Sequence, residues 1–127
     1  MATATRGVRR PFHINELGFL GGRDNRHRFV MSAYRTARGS TTAYQGGEWD
    51  VVHADGVMYL APATSETFAV GDQELDALSF GLAISIKTMR SLAPVLGVPS
   101  LSLRLAKLEE IALAHPKRDG IFSVVNQ

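Results

Sequence analysis

The segment from Tyr44 to Pro62, YQGGEWDVVHADGVMYLAP, predicts a β-hairpin around which the rest of the chain is arranged. From Trp49 to Ala54 successive residues alternate with the period of two that is typical of a strand with one buried face. Asp55-Gly56 follows, and this dipeptide supplies the positive φ angles of a tight hairpin turn. The return arm is rich in β-forming residues and ends at Pro62, which cannot donate to a central ladder. We therefore expect two paired strands, each bearing a large aromatic side chain.

The remaining elements are predicted from hydrophobic periodicity and from residues that start or stop helices. A central, largely apolar helix should cover the hairpin and bury its aromatic rings, with Gly81 allowing a close neighbour. These patterns predict an α+β domain, with a small antiparallel sheet of about three strands packed with three or more helices. The expected elements besides the hairpin are a helix from Asp24 or Asn25 to Arg38, a third strand at Phe68–Val70, a helix from Asp72 or Gln73 to Leu92, a helix from Ser100 or Ser102 to His115, and an edge strand or irregular cover at Ile121–Val125.

A chain of 127 residues is long enough to form one domain whose hydrophobic core needs no disulfide or metal ion to stabilise it. We expect residues 1–16 to form an extended or disordered lead and residues 17–127 to form the single domain. The chain has no cysteine, which excludes disulfides and thiolate chemistry and permits a reducing, cytoplasmic setting. The sequence contains no run of about 18 apolar residues, so we expect no membrane span. No apolar stretch follows the arginines near the N-terminus, so we expect no secretory signal.

Patterns that would indicate an enzyme are missing from the sequence. The four histidines, His13, His27, His53 and His115, have no zinc-binding spacing. There is no nucleophile elbow around a serine and no glycine-rich nucleotide loop. We therefore expect no catalytic residues, no cofactor and no metal, and we interpret the protein as not being an enzyme.

Charge is unevenly distributed along the chain. Residues 1–46 contain eight arginines and two acidic residues, whereas residues 47–127 contain six basic and ten acidic residues. Arginine forks bind phosphates well, so a basic face on the first helix with an arginine-rich arm beside it would suit nucleic acid. The alternative is that these arginines have no binding role and lie in a solvated N-terminal tail and on a solvated face of the first helix. The candidate nucleic-acid contacts are Arg6, Arg9, Arg10, Arg26, Arg28, Arg35 and Arg38.

The hairpin segment contains the ordered motif Tyr-x-Gly-Gly-x-Trp followed by Gly-x-x-Tyr-x-Ala-Pro, from Tyr44 to Pro62. This motif resembles that of the antirestriction proteins of the KlcA and ArdB type. The resemblance covers roughly residues 17–125 and ends with a late Ala-x-x-His-Pro. It implies a small cytoplasmic protein of a plasmid, phage or integrated element that protects incoming DNA from host type I restriction without catalysis. The motif residues, which we interpret as structural, are Tyr44, Gly46, Gly47, Trp49, Gly56, Tyr59, Ala61, Pro62, His115 and Pro116.

A protein of this kind needs a surface that contacts its target. The acidic side chains around the hairpin are the candidate, and we expect them to gather at one end of the sheet: Glu48, Asp50, Asp55, Glu74 and Asp76. The implied partner is a host restriction enzyme or another nuclease complex, approached by a monomer or a small homo-oligomer. The alternatives are a nucleic-acid-binding accessory protein and an inhibitor of a different host nuclease, such as a CRISPR effector.

Overall fold

A computed structural model describes residues 8–127, so Arg6 lies outside the described residues. Within this range the chain forms an α+β structure of two antiparallel sheets and five helices, the first of them a 3₁₀ helix, which confirms the predicted class. In chain order the elements are β1 (Val8–Pro11), the 3₁₀ helix (Ile14–Leu20), α1 (Arg23–Ser40), β2 (Trp49–Ala54), β3 (Val57–Pro62), β4 (Thr67–Val70), β5 (Gln73–Asp76), α2 (Ala77–Leu96), α3 (Pro99–Leu113) and α4 (Arg118–Val125).

The predicted hairpin is confirmed as the antiparallel pair β2 and β3, in which Trp49 lies opposite Pro62 and Val52 lies opposite Tyr59. Its turn has positive φ at both Asp55 (51°) and Gly56 (82°), as a two-residue hairpin turn requires. Trp49 and Tyr59 are both buried. Because side chains alternate along a strand, the two rings occupy opposite faces of the sheet.

The third strand of this sheet is β1. It lies within residues 1–16, which we expected to form an extended or disordered lead and not a strand of the sheet. Val8–Pro11 pairs antiparallel with β2, with Arg10 opposite Val51. The local sequence does not predict this pairing, because β1 contains a proline and only one β-branched residue, Val8. The strand depends on β2 for its hydrogen bonds, so it is visible only in the folded chain. The division into a lead and a domain at residue 16 stays a prediction.

Phe68–Val70 is a strand, as predicted, but it does not join the hairpin. It lies in β4, which pairs with β5 in a separate two-stranded sheet. The expectation of a helix beginning at Asp72 or Gln73 is wrong, since Gln73–Asp76 forms β5 and the helix begins at Ala77. Asp76 is its N-cap, and its carboxylate accepts a hydrogen bond of 3.1 Å from the backbone N–H of Ser79.

Helix α2 is the central helix, buried on nearly every side. It lies against the free edge of β3, where the hydroxyl of Ser85 bonds both the N–H (3.0 Å) and the carbonyl oxygen (3.3 Å) of Leu60. The helix thus satisfies backbone groups that an edge strand would otherwise leave unpaired. Gly81 permits this approach, because a Cβ atom there would overlap the backbone of Leu60 and Ala61.

The helix ends differ from expectation. Helix α1 begins at Arg23 after Gly22, and the Asn25 side chain bonds the carbonyl of Leu20 (2.9 Å) instead of capping the helix. Helix α2 continues through Pro94 to Leu96, and α3 begins at Pro99 with no side-chain cap and ends at Leu113. The C-terminal segment is a helix, not an edge strand, because α4 buries Ile121, Val124 and Val125 at helical spacing.

Candidate functional site

Half of the motif residues lie in or beside the loop before β2: Tyr44, Gly46, Gly47, Trp49 and Pro62. We call Gln45–Glu48 the glycine loop; Gly46 and Gly47 have φ angles of 93° and 108°, which side chains with a Cβ rarely adopt. The loop is tied to the end of β3, because Ala63 donates a backbone hydrogen bond of 2.9 Å to the carbonyl of Glu48. Glycine at these two positions is therefore required by the backbone, and the loop leads the chain into the sheet.

Buried aromatic side chains on either side of the glycine loop in sequence contact each other and hold the loop in place. The indole Nε1 of Trp49 donates a buried hydrogen bond of 2.8 Å to the hydroxyl of Tyr44, and their rings meet edge to face with centroids 5.7 Å apart. On its other side Trp49 contacts Tyr34 of α1, with centroids 5.6 Å apart. Trp49 is buried as expected, and the two aromatic rings that it meets belong to Tyr34 of α1 and to Tyr44, which precedes the glycine loop.

Two concavities flank the glycine loop. One of about 340 Å³ lies between the loop and the segment Pro62–Phe68, and its acidic groups are Glu48 and Glu66. The other, of about 430 Å³, lies between the loop, Pro11-Phe12 and Tyr34. Glu48 is exposed and borders both. A carboxylate beside aromatic rings and open backbone suits a cationic side chain from a partner protein.

The structure does not bring the five acidic candidates together. Asp50 is held by Arg9, which also donates a 2.8 Å hydrogen bond to the carbonyl of Pro62. Asp76 caps α2, and Glu74 is exposed on β5. Asp55 lies at the hairpin tip, about 23 Å along β2 from Glu48 at some 3.3 Å per residue. Glu48, Asp55 and Glu74 are therefore available to a partner as separate points, while Asp50 and Asp76 also have structural partners.

The arginine candidates also divide into residues that have structural partners and residues that are exposed without an ion pair. Arg9 and Arg10 are engaged with Asp50 and Glu16, and Arg26 bonds the side chain of Asn15 (3.3 Å). Three others are exposed on one face of α1 and form no ion pair with any residue in 8–127; we call this face the α1 arginine face, and it consists of Arg28, Arg35 and Arg38.

The buried titratable groups have structural explanations. Burial, reinforced by the charge of Asp76 and opposed by Arg9, raises the pKa of Tyr59 to about 12. Burial lowers the pKa of His115, with Asp76 opposing and Lys117 adding to the effect. The Nδ1 atom of His115 accepts a hydrogen bond of 2.9 Å from the backbone of Lys117. His115 thus stabilises the turn between α3 and α4, consistent with a structural reading of the His115-Pro116 motif.

Reasoning from the sequence did not identify Glu66 or the cavity that it shares with Glu48. The segment after Pro62 looked like a short connection, and nothing in its local sequence marks a site. In the fold it is ordered by Thr64, whose hydroxyl accepts a 3.1 Å hydrogen bond from the backbone of Glu66. Residues 8–127 contain no group of three or more potential metal ligands. No helix among them has the length and apolar character to cross a membrane.

No protein-family model matches the chain, and no curated protein matches it in sequence. One solved structure that does match is described in these words: "The structure of the KlcA and ArdB proteins show a novel fold and antirestriction activity against Type I DNA restriction systems in vivo but not in vitro". The TM-score is 0.75 at 19% identity, over 93% of this chain and 94% of that chain. The resemblance carried by the motif is confirmed at the level of the fold. This chain adopts the fold of the KlcA and ArdB proteins.

Proposed function

We propose that this protein is an antirestriction protein that protects incoming DNA by inhibiting a host type I restriction system. The observation that carries the proposal is the match to the KlcA and ArdB fold over nearly the whole of both chains. The protein acts as a non-catalytic inhibitor encoded by a plasmid or phage. It works by surface contact in the cytoplasm, as a monomer or a small homo-oligomer.

We assign the contact with the restriction enzyme to the glycine loop, with Glu48 as its charged centre. Three properties support this choice: Glu48 is exposed, it borders two concavities, and the loop is fixed by the Tyr44 to Trp49 hydrogen bond. A rigid loop loses little conformational freedom when a partner binds. Asp55 and Glu74 are exposed on other parts of the surface and are secondary contact candidates.

The first test is made in cells, because the KlcA and ArdB activity is described as present in vivo but not in vitro. Unmodified phage is plated on a host with a type I restriction system and on an isogenic host without it, each with and without this protein. We expect the protein to raise plating on the restricting host toward the level of the non-restricting one. Phage already carrying the host modification should plate equally in all four strains.

The same assay contradicts the proposal if plating of unmodified phage stays at the restricted level while immunoblotting detects soluble protein. A host that relies on a CRISPR effector instead of a restriction enzyme distinguishes the alternative target. Protection confined to that host would assign the protein to another nuclease.

Direct binding of nucleic acid is the second candidate function, and the α1 arginine face favours it. Arg28, Arg35 and Arg38 span about 15 Å of helix and have no carboxylate neighbours in ion-pair contact within residues 8–127. Guanidinium groups on one exposed face can contact the phosphates of a nucleic-acid backbone. The face carries little apolar surface beyond Met31, whereas a protein interface has an apolar core.

For three phosphate contacts, the logarithm of the DNA association constant should fall against the logarithm of salt with a slope of about −2.7. Raising salt from about 50 to about 200 mM would then weaken duplex binding about 40-fold. Fluorescence anisotropy with a labelled duplex measures this. Replacing Arg28, Arg35 and Arg38 with Gln should remove the binding, and Arg118→Gln, at an exposed position on α4, is the matched control. Absence of binding at low salt eliminates this function.

A further inference from the structure

Arg104 of α3 differs from the other arginines that contact the core elements. Its guanidinium lies over the ring of Phe19, 3.9 Å from the centroid. It forms no ion pair or hydrogen bond with another residue in 8–127, whereas Arg9, Arg10 and Arg90 each bond a carboxylate. The ring covers one face of the guanidinium and fixes its orientation, so its N–H edge remains available in the plane. Arg104 is thus a pre-oriented cation that forms no ion pair within residues 8–127, although the carboxylate of Asp55 lines the same concavity.

Concave surface lies on both sides of Arg104. A concavity of about 360 Å³ opens between the hairpin tip and α3, where Ser100, Leu103 and Lys107 line it. A second of about 450 Å³ opens between the tip and the 3₁₀ helix. Both include Gly56, Val57 and Arg104 in their walls. We call this continuous surface the Arg104 groove, and its two halves have the size of ordinary ligand sites.

The lining of the groove combines apolar surface with unpaired polar groups. Leu103 at its wall is 75% exposed and offers apolar surface to a ligand. Lys107 forms no ion pair among residues 8–127. The buried Nε2 atom of His53 forms no hydrogen bond, and its charged neighbour is Glu16, whose Oε1 atom lies 4.0 Å away. Glu16 is already engaged by Arg10 through both carboxylate oxygens, which leaves Asp55 at the rim as the opposing charge. Cationic donors beside apolar surface complement a ligand that is both anionic and apolar.

We propose that the Arg104 groove binds an extended acidic peptide segment of a partner protein. A glutamate or aspartate carboxylate of that segment pairs with the edge of the Arg104 guanidinium, and an adjacent leucine-like side chain packs on Leu103 and Val57. A phosphate would use the cations but would leave the apolar wall uncovered, so the peptide fits the whole groove better. The proposal concerns a surface at the opposite end of β2 from the glycine loop and does not depend on the antirestriction role.

The test is a titration of the isotope-labelled protein, followed by backbone amide NMR shifts. The probe is acetyl-Leu-Glu-Leu-amide, and its isosteric control is acetyl-Leu-Gln-Leu-amide. We expect shifts centred on Gly56, Val57 and Arg104 with the acidic peptide. The neutral peptide should bind about tenfold or more weakly, since charge-assisted hydrogen bonds are the stronger ones. Inorganic phosphate is titrated separately as a third arm.

Variants connect the shifts to the proposed contacts. Arg104→Gln should abolish the preference for the acidic peptide, and Leu103→Ser should weaken both peptides without affecting folding, since Leu103 is largely exposed. Arg118→Gln is the control and should bind like the parent. The proposal is overturned by equal affinity for the two peptides, by shifts elsewhere or none at all, by undiminished preference in Arg104→Gln, or by tighter binding of phosphate than of the acidic peptide.

Discussion

Replacing Gly81 with alanine is expected to destabilise the fold by about 3 kcal/mol, combining overpacking with the loss of buried hydrogen bonds. The new Cβ atom would overlap the carbonyl oxygen of Leu60 and the Cα of Ala61, both backbone atoms that cannot move aside independently. Helix α2 would have to retreat from β3. The buried bonds between Ser85 and Leu60 would lengthen or break.

The expected loss corresponds to a fall of about 10 °C in the thermal midpoint for a domain of this size. Chemical denaturation and thermal unfolding both measure it. Gly39→Ala is the matched control, because Gly39 is also in a helix but a Cβ there would meet nothing within 4 Å. That substitution should be neutral or stabilise by up to about 1 kcal/mol, the helix propensity of alanine over glycine. A Gly81→Ala protein as stable as the parent would show that α2 does not pack tightly against β3.

The hairpin was predictable because all of its signals are local. The alternation of β2, the Asp55-Gly56 turn and the stop at Pro62 occur within 14 consecutive residues, and the structure has each of them in place. The same holds for the central helix, whose apolar residues continue on nearly every side. Local chemistry and tertiary burial agree in these two elements, which is why they form the centre of the fold.

Elements that depend on distant partners were missed or misread. Strand β1 is stabilised by Arg9 against Asp50, a residue 41 positions away. Gln73–Asp76 looked like the start of a helix because acidic residues favour helix N-termini, yet pairing with β4 makes it a strand. Ile121–Val125 was expected to form an edge strand or an irregular cover, but burial of one face fixes a helix there. In each case tertiary contacts outweighed local preference.

The residues of the candidate site were also hard to predict from the sequence, because contacts between distant segments decide which side chains are available. From the sequence, Glu48 was proposed only as one of five acidic side chains, and the paired glycines were interpreted as structural. The sequence also offered Asp50 and Asp76 as partner contacts, since the pattern of charges could not show that Arg9 and the N-terminus of α2 engage them. Glu66, which shares a cavity with Glu48, came into view only when the fold placed the two segments side by side.

Because Asp50 and Asp76 have structural partners, they are poor choices for a substitution that tests the proposed contact surface. Reversing Asp50 would break its ion pair with Arg9 and confuse loss of binding with loss of stability. Glu48 is exposed and forms no ion pair within residues 8–127, so Glu48→Lys should leave the thermal midpoint nearly unchanged. Surface substitutions of this kind usually change stability by no more than about 0.5 kcal/mol. Any loss of protection by Glu48→Lys can therefore be assigned to the surface itself.

Glu48→Lys should return the plating of unmodified phage on the restricting host to the level seen without the protein. A cation placed where the partner supplies a cation loses the charge pair and adds repulsion, and losing one member of a buried charge pair costs about 2–5 kcal/mol. That corresponds to about 30-fold or more in affinity. Asp72→Lys, a charge reversal at another exposed turn, is the matched control and should protect as well as the parent. Full protection by Glu48→Lys at normal protein levels would remove the glycine loop as the contact and direct the search to Asp55 and Glu74.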